Sequence, residues 1–427
     1  MAQRGALLLG CIADDFTGAT DLANTLVRNG MRTIQVIGAP DGVDVPADAE
    51  AIVIALKSRT APPVEAVGQS VASCRWLQQA GARQIYLKYC STFDSTDEGN
   101  IGPVADALRA ELRTDFATIC PAFPETGRTI YLGHLFVGDV LLSDSPMRHH
   151  PLTPMTDANL VRVLGRQTKA SVGLVPIATV RKGPAAMRDA FDALRRKGIA
   201  YAVVDAIEDE DLRRLGAACS DLALVTGGSG AAMELPENFR RAGLLAARAG
   251  AEGLPGVGGK GAVLSGSCSP ATLAQVEHMR ARRPALKLDP LALAERGEVA
   301  ISEALAWAAA ELETGPILIY ASAAPESVNA VQAKLGRARA GSLVEHALAA
   351  LARGLVAAGV RRLVVAGGES AGAVVQALGV QALRIGPQID PGIPATVSLG
   401  GTSLALALKS GNFGAEDFFV KALERLR

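Results

Sequence analysis

The chain has 427 residues, 49% of them hydrophobic, and 43 Lys plus Arg stand against 43 Asp plus Glu. Such a length favours two domains with ample cores, and the even charge balance argues against a nucleic-acid binder driven by bulk charge, leaving any anionic ligand to a local basic cluster. The six cysteines form no CxxC pair, no signal peptide is read at the N-terminus, and no apolar run approaches the roughly 20 residues of a membrane span, so a cytoplasmic protein without a membrane partner is expected.

In chain order, Leu7–Ala13 is a short apolar run suited to a buried parallel strand. Asp14 and Asp15 follow at once, and then Leu22, Ala23, Leu26 and Val27 repeat at helical spacing up to Gly30. In an open α/β sheet, ligands bind beyond the carboxyl ends of strands, where this Asp pair is expected. One Asp could serve only as a helix N-cap; two together are harder to explain so, since neighbouring carboxylates repel when water is withdrawn.

Thr33–Ile37 reads as a second strand and Ala51–Leu56 as a third, ending in Lys57, Ser58 and Arg59. These two cations either receive a carboxylate or are a solvated strand end. A helix with Val64, Val67, Val71, Cys74 and Leu77 on one face leads to the strand Gln84–Tyr89, which carries Lys88. The loop after it holds Ser91, Thr92, Asp94, Ser95, Thr96 and Asp97, a density of hydroxyls and carboxylates that suits either a polyhydroxylated ligand or a plain run of polar turns.

Phe116–Cys120 is a further strand, and 129–140 alternates like a hairpin. His134, His149 and His150 cluster nearby without helical spacing, so no protein-bound metal is expected there. Strands and helices then alternate to Thr226, where GGSG is a tight turn or an anion site. Residues 250–261 form the best linker.

Beyond the linker the pattern restarts. Ala262–Leu264 ends in Ser265-Gly266-Ser267-Cys268-Ser269 before a helix, and Arg362–Ala366 runs into Gly367, Gly368, Glu369 and Ser370. A helix is read over 343–358, and Lys409-Ser410-Gly411 turns before the last helix. Backbone amides of three such turns can converge on the phosphates of a nucleotide, with Lys409 or Ser410 assisting.

The motifs IADDFTGATD, KSR, KYCSTFDST, PMRHHPLTPMTD, VTGGSG, LSGSCS, AGGES and LKSGNFG, in that order over nearly the whole chain, resemble the four-carbon acid sugar kinase family. One departure is visible: the usual AGGETSG reads AGGESAG here, so residue 371 has lost a hydroxyl. The resemblance implies an α/β protein of two domains, each a mostly parallel sheet flanked by helices, with the active site in the interdomain cleft. Residues 1–250 would bind the acid sugar and 251–427 the nucleotide. The implied reaction is ATP-dependent phosphorylation of a four-carbon keto-acid sugar, 3-dehydrotetronate, on its terminal hydroxyl. Kinases for D-threonate or D-erythronate, a metal-dependent lyase and a binding protein without turnover are the alternatives.

Phosphoryl transfer needs an oriented acceptor, a held substrate and neutralised phosphates. Asp15 is the expected catalytic carboxylate. Arg59, with Lys57 or Lys88, would take the substrate carboxylate, and Asp14, Ser91, Asp94, Ser95 and Thr96 the sugar. Ser265, Ser267, Gly367, Gly368, Glu369, Ser370 and Gly411 would hold ATP with Mg²⁺ bridging its phosphates. The Ala-rich helices permit a homodimer.

Overall fold

The computed structural model describes residues 7–426, other than 41, 44, 95, 151, 152 and 247–249. The chain divides into two compact units, Met1–Glu252 and Gly253–Arg427.

Among the described residues, the N-terminal unit is built on eight parallel strands. The first five are β1 (Leu9–Ala13), β2 (Thr33–Ile37), β3 (Ala51–Ala55), β4 (Gln84–Lys88) and β5 (Ala117–Cys120). The stretch expected as a hairpin is a small three-stranded antiparallel sheet, β6 (Arg128–Tyr131), β7 (His134–Val137) and β8 (Val140–Leu141). The parallel sheet is completed by β9 (Ser171–Val175), β10 (Ile199–Val204) and β11 (Leu224–Gly227), in the spatial order β2-β3-β1-β4-β11-β5-β10-β9. All five residues of β1, β3 and β4 are buried, as in a parallel sheet covered on both faces.

The position of β1 matters most. It pairs with β3 on one side and β4 on the other. The chain therefore runs from β1 through β2 to β3 on one flank, then crosses to β4 on the other. The carboxyl end of β1 is a topological switch point, where the connections diverge and leave a crevice. The helix Phe16–Arg28 starts there, with Asp15 as its N-cap and Ala19, Leu22, Ala23, Leu26 and Val27 buried beneath it.

The C-terminal unit repeats the plan with a variation. Its strands are β12 (Lys260–Ser265), β13 (Ala285–Lys287), β14 (Ile317–Tyr320), β15 (Val360–Ala366), β16 (Ala382–Asp390), β17 (Ile393–Leu399) and β18 (Ala405–Lys409), in the order β13-β14-β12-β15-β18-β17-β16. Lys260 and Gly261 thus belong to a strand, not to the linker. The first five in spatial order are parallel, and β16 and β17 join antiparallel. Here β12 lies between β14 and β15, so its carboxyl end is again a switch point.

Two features were not expected. The antiparallel pair β16–β17 turns at Pro391-Gly392, with Gly392 at φ 76°, a hairpin signal the sequence reading passed over. The helix read over 343–358 starts earlier, spanning Arg337–Ala357. By length and composition alone that helix could cross a membrane; its Ala347, Leu348, Leu351, Ala352 and Leu355 are buried within this unit. The last helix, Phe418–Arg425, has eight residues, too few to persist alone. Phe418 and Phe419, 0% and 1% exposed, tie it to the core, each burial contributing roughly 1.5–3 kcal/mol. That anchor fixes one end of the 410–414 turn.

Candidate functional site

In the N-terminal unit, backbone hydrogen bonds draw three strand ends together. Asp14 N donates to Lys88 O at 3.1 Å, while Ser58 N and Arg59 N donate to Asp14 O at 3.0 and 3.1 Å. The side chains converge in turn. Arg59 donates from Nε to Asp14 Oδ2 at 2.9 Å and from Nη2 to Asp14 Oδ1 at 2.8 Å. The same Nη2 reaches Asp15 Oδ1 at 2.9 Å, and Nη1 lies 4.0 Å from Asp94 Oδ2. Asn100 fixes the loop that presents Arg59, donating to the carbonyls of Ser58 at 2.7 Å and Ala61 at 2.8 Å.

Asp15 also caps its helix, accepting from Gly18 N at 2.9 Å and from the Thr17 hydroxyl at 2.9 Å. The capping and the functional readings of this residue are therefore compatible. Burial pushes the Asp15 carboxyl up, but Arg59, Lys88, Thr17 and Gly18 outweigh it and hold it below the usual range. Asp14 goes the other way: burial, aided by the neighbouring charge of Asp15, raises it despite Arg59 and Lys88. Lys88 is 3% exposed and donates to Tyr89 O at 2.8 Å.

Sequence reasoning passed over Asp21, the last residue of IADDFTGATD. It accepts from the Ser229 hydroxyl at 2.5 Å and lies in the field of Lys88, while burial raises its carboxyl. The i, i+6 and i+7 spacing from the Asp pair across one helix start was the signal available. Ser229 belongs to the GGSG turn, whose glycines are packing residues: a Cβ on Gly227 would come within 2.4 Å of Cys120 O. All four residues of that turn are buried.

The hydroxyl-rich loop partly satisfies itself. Thr92 donates to Asp94, and Gln167 donates to Thr96 O at 2.6 Å. Ser91 is half-buried and Thr92 buried; Ser95 lies outside the described residues. Lys57 is exposed beside the cluster. Away from it, His134 Nδ1 lies 2.9 Å from Leu132 O, and His150 Nδ1 lies 2.9 Å from Thr153 Oγ1. Among the described residues, no three His, Cys, Asp or Glu side chains form a metal-ligand group.

In the C-terminal unit the three glycine turns meet around a cavity of about 650 Å³, large enough for a nucleotide. Ser267, Gly367, Gly368, Glu369, Ser370 and Gly411 line one part of it; Leu288, Ala321, Val328, Val331 and Val344 line another. Gly266 N and Ser267 N donate to Ala366 O at 3.0 and 3.2 Å, and Gly367 N to Lys409 O at 2.9 Å, so the three turns are tied edge to edge. Gly367 sits at φ 120°, a conformation only glycine adopts readily. A Cβ on Gly411 would stand 2.7 Å from Ser267 Oγ.

Two expected residues work from behind the cavity. Ser265 is 0% exposed and its hydroxyl lies 2.8 Å from that of Ser322, so it supports the turn from below and does not face a ligand. Lys409 is likewise buried behind Gly411 and does not line the cavity. The departure at residue 371 is quiet: Ala371 is 0% exposed, and its amide donates to Gly367 O at 2.8 Å.

Comparison with known proteins follows this division. Residues 9–235 match the model of a sugar-binding N-terminal domain, and residues 262–419 that of a nucleotide-binding C-terminal domain. The chain is 62% identical to a 3-oxo-tetronate kinase of Cupriavidus necator, over 98% of this chain and 97% of that one. It is 61% identical to a 3-oxo-tetronate kinase of Burkholderia multivorans, again over 98% and 97%. A crystal structure of a Salmonella typhimurium LT2 protein superposes with a TM-score of 0.91 at 43% identity, covering 99% of this chain and 100% of that one.

Proposed function

We propose that this chain, which belongs to the four-carbon acid sugar kinase family, transfers the γ-phosphoryl group of ATP to the terminal hydroxyl of a 3-oxo-tetronate. The carrying observation is that each unit builds its own site at a switch point. One is a cluster of carboxylates and cations in the sugar-binding domain; the other is a glycine-walled cavity in the nucleotide-binding domain.

Phosphoryl transfer asks more for positioning and charge neutralisation than for covalent chemistry. Asp15 orients the acceptor hydroxyl. Its depressed pKa keeps it ionised at neutral pH, and a weak base suffices where the hydroxyl proton leaves late. Arg59 has turned Nε and Nη2 to the Asp pair, so an incoming carboxylate meets Nη1, with Lys57 and Lys88 adding positive charge. Asp94, Ser91 and Thr96 hold the sugar hydroxyls.

Backbone amides of Gly368–Ser370 and Gly411, in turns tied together by the Ser267 and Gly367 amides, hold the ATP phosphates, and the apolar wall takes the base. Mg²⁺ binds through one or two carboxylates plus phosphate oxygens and keeps several waters. Glu369, lining the cavity beside the Gly367–Gly368 turn, fits that modest requirement. When bound, the ion neutralises charge on the transferring phosphates.

A coupled ADP-release assay over 3-oxo-tetronates, D-threonate and D-erythronate tests the reading. Turnover confined to the 3-oxo acids is expected. Equal efficiency on D-threonate or D-erythronate overturns the substrate assignment, and acid-sugar-independent ATP consumption overturns the reaction.

A further inference from the structure

Lys409 ends β18 with its side chain inside the protein, 1% exposed. Nζ donates to Gln275 Oε1 at 2.7 Å, to Thr272 Oγ1 at 2.8 Å and to the Gly411 carbonyl at 3.0 Å, and it lies 5.9 Å from the centre of the Phe419 ring. All three acceptors are neutral. The ammonium is solvated by dipoles, and among the described residues no carboxylate pairs with it.

The charged groups on the surrounding elements are these. On the last helix and the turn before it, Lys421 pairs with Asp390 at 2.5 Å and Asp417 at 3.5 Å, and Glu424 and Arg425 lie beyond. On the helix Pro270–Arg280, Glu277 pairs with Arg280 at 2.9 Å and His278 with Glu416 at 3.8 Å. On β15, Arg361 donates to Val360 O at 2.8 Å and Arg362 to Gly259 O at 3.0 Å; Glu369 stands in the first turn of the next helix. None of these moves the Lys409 ammonium. Burial does, lowering it to about 8.

What Lys409 holds is the frame of the phosphate end. Thr272 Oγ1 lies 2.8 Å from Gly411 O and 3.2 Å from Ser267 Oγ. Ser269 caps the same helix and bonds Gly411 O. Gln275 Nε2 donates to the carbonyls of Phe413, Gly414 and Ala415 at 2.9–3.1 Å. One cation therefore links the helix that supports one glycine turn to the backbone of another.

We propose that Lys409 is the positioning cation of the phosphate cradle: from behind Gly411 and Thr272 it fixes both walls, and its uncancelled charge attracts the nucleotide phosphates without touching them. This rests on the reading of the cavity as the ATP site. A buried charge works at lower effective dielectric than a surface lysine, so it is felt through an intervening peptide. By linkage, a nucleotide that favours the charged form must bind more weakly as that proton is lost.

Calorimetry of ADP binding to the full chain between pH 7 and 9.5 tests this, in two buffers of different ionisation enthalpy. The measurement is made in a Cys268→Ser background, which removes the thiol that lines the cavity. ADP affinity is expected to fall by about tenfold per pH unit once Lys409 has lost its proton, with up to one proton taken up on binding. Lys409→Met should bind ADP at least about tenfold more weakly at pH 7 and lose that pH dependence. Lys409→Arg, which stays charged, should show no pH dependence.

Unchanged ADP affinity in a folded Lys409→Met overturns the proposal, as does a pH dependence that persists in it. If Lys409→Met does not fold, the parent protein still decides: absence of proton uptake above pH 8 overturns the charge role. Gly411→Val separates the two levels. If it leaves ADP binding intact, the cavity is not the nucleotide site; if it weakens ADP while Lys409→Met does not, only the role of Lys409 falls.

Discussion

Arg59 grips Asp14 with two nitrogens, at 2.9 and 2.8 Å, and shares one of them with Asp15 at 2.9 Å. One guanidinium thus locks the ends of β1 and β3 together and leaves adjacent carboxylates in opposite electrostatic situations, Asp14 raised and Asp15 lowered.

Asp15→Asn should fold, bind ATP and lose about 10²–10⁴-fold in turnover, the usual worth of a positioned acid–base group. Asparagine is as good an N-cap as aspartate, so the helix is spared, whereas Asp15→Ala should also lose about 1 kcal/mol of stability. Turnover near the parent rate in Asp15→Asn would remove this residue from the mechanism.

The same residue predicts an acid-stability signature. Its folded pKa lies below the unfolded value, so its contribution is complete above that unfolded value, about 3.9, and is lost as pH falls through the folded pKa. The stability gap between the parent and Asp15→Asn should be widest above pH about 4 and close in stronger acid. Urea melts from pH 6 to 2 measure it; a gap that widens in acid contradicts the assigned sign.

Arg59→Ala should raise KM for the acid sugar far more than KM for ATP, since its partners Asp14, Asp15 and Asp94 lie in the N-terminal unit. Arg59→Lys should rescue poorly, because one ammonium cannot make the forked contacts with Asp14. A selective loss of ATP affinity would show that the carboxylate assignment is wrong.

Gly411→Val should weaken ATP binding at least tenfold while leaving acid-sugar affinity in place. Even the first side-chain carbon would stand 2.7 Å from Ser267 Oγ, so one of two tied turns must move. Nucleotide affinity equal to the parent's would rule out this cavity wall.

Much of this was legible in order along the chain. Continuous apolar runs such as LLLGCIA marked strands buried on both faces, and polar or glycine residues after them marked strand ends, since those properties depend on neighbours a few residues away. Asp14, Asp15, Lys57, Arg59 and Lys88 could be named because each follows or ends such a strand. Which partners they meet was not local. Arg59 lies 45 residues from Asp14, and only the switch-point order β3-β1-β4 brings those strand ends side by side. The same holds for Ser265, Asp21 and Lys409, whose types suggested ligand contacts or nothing at all. Packing decided between facing a cavity and supporting it from behind, because a side chain's direction follows from what the sheet and helices leave unfilled, and no spacing in one chain encodes that.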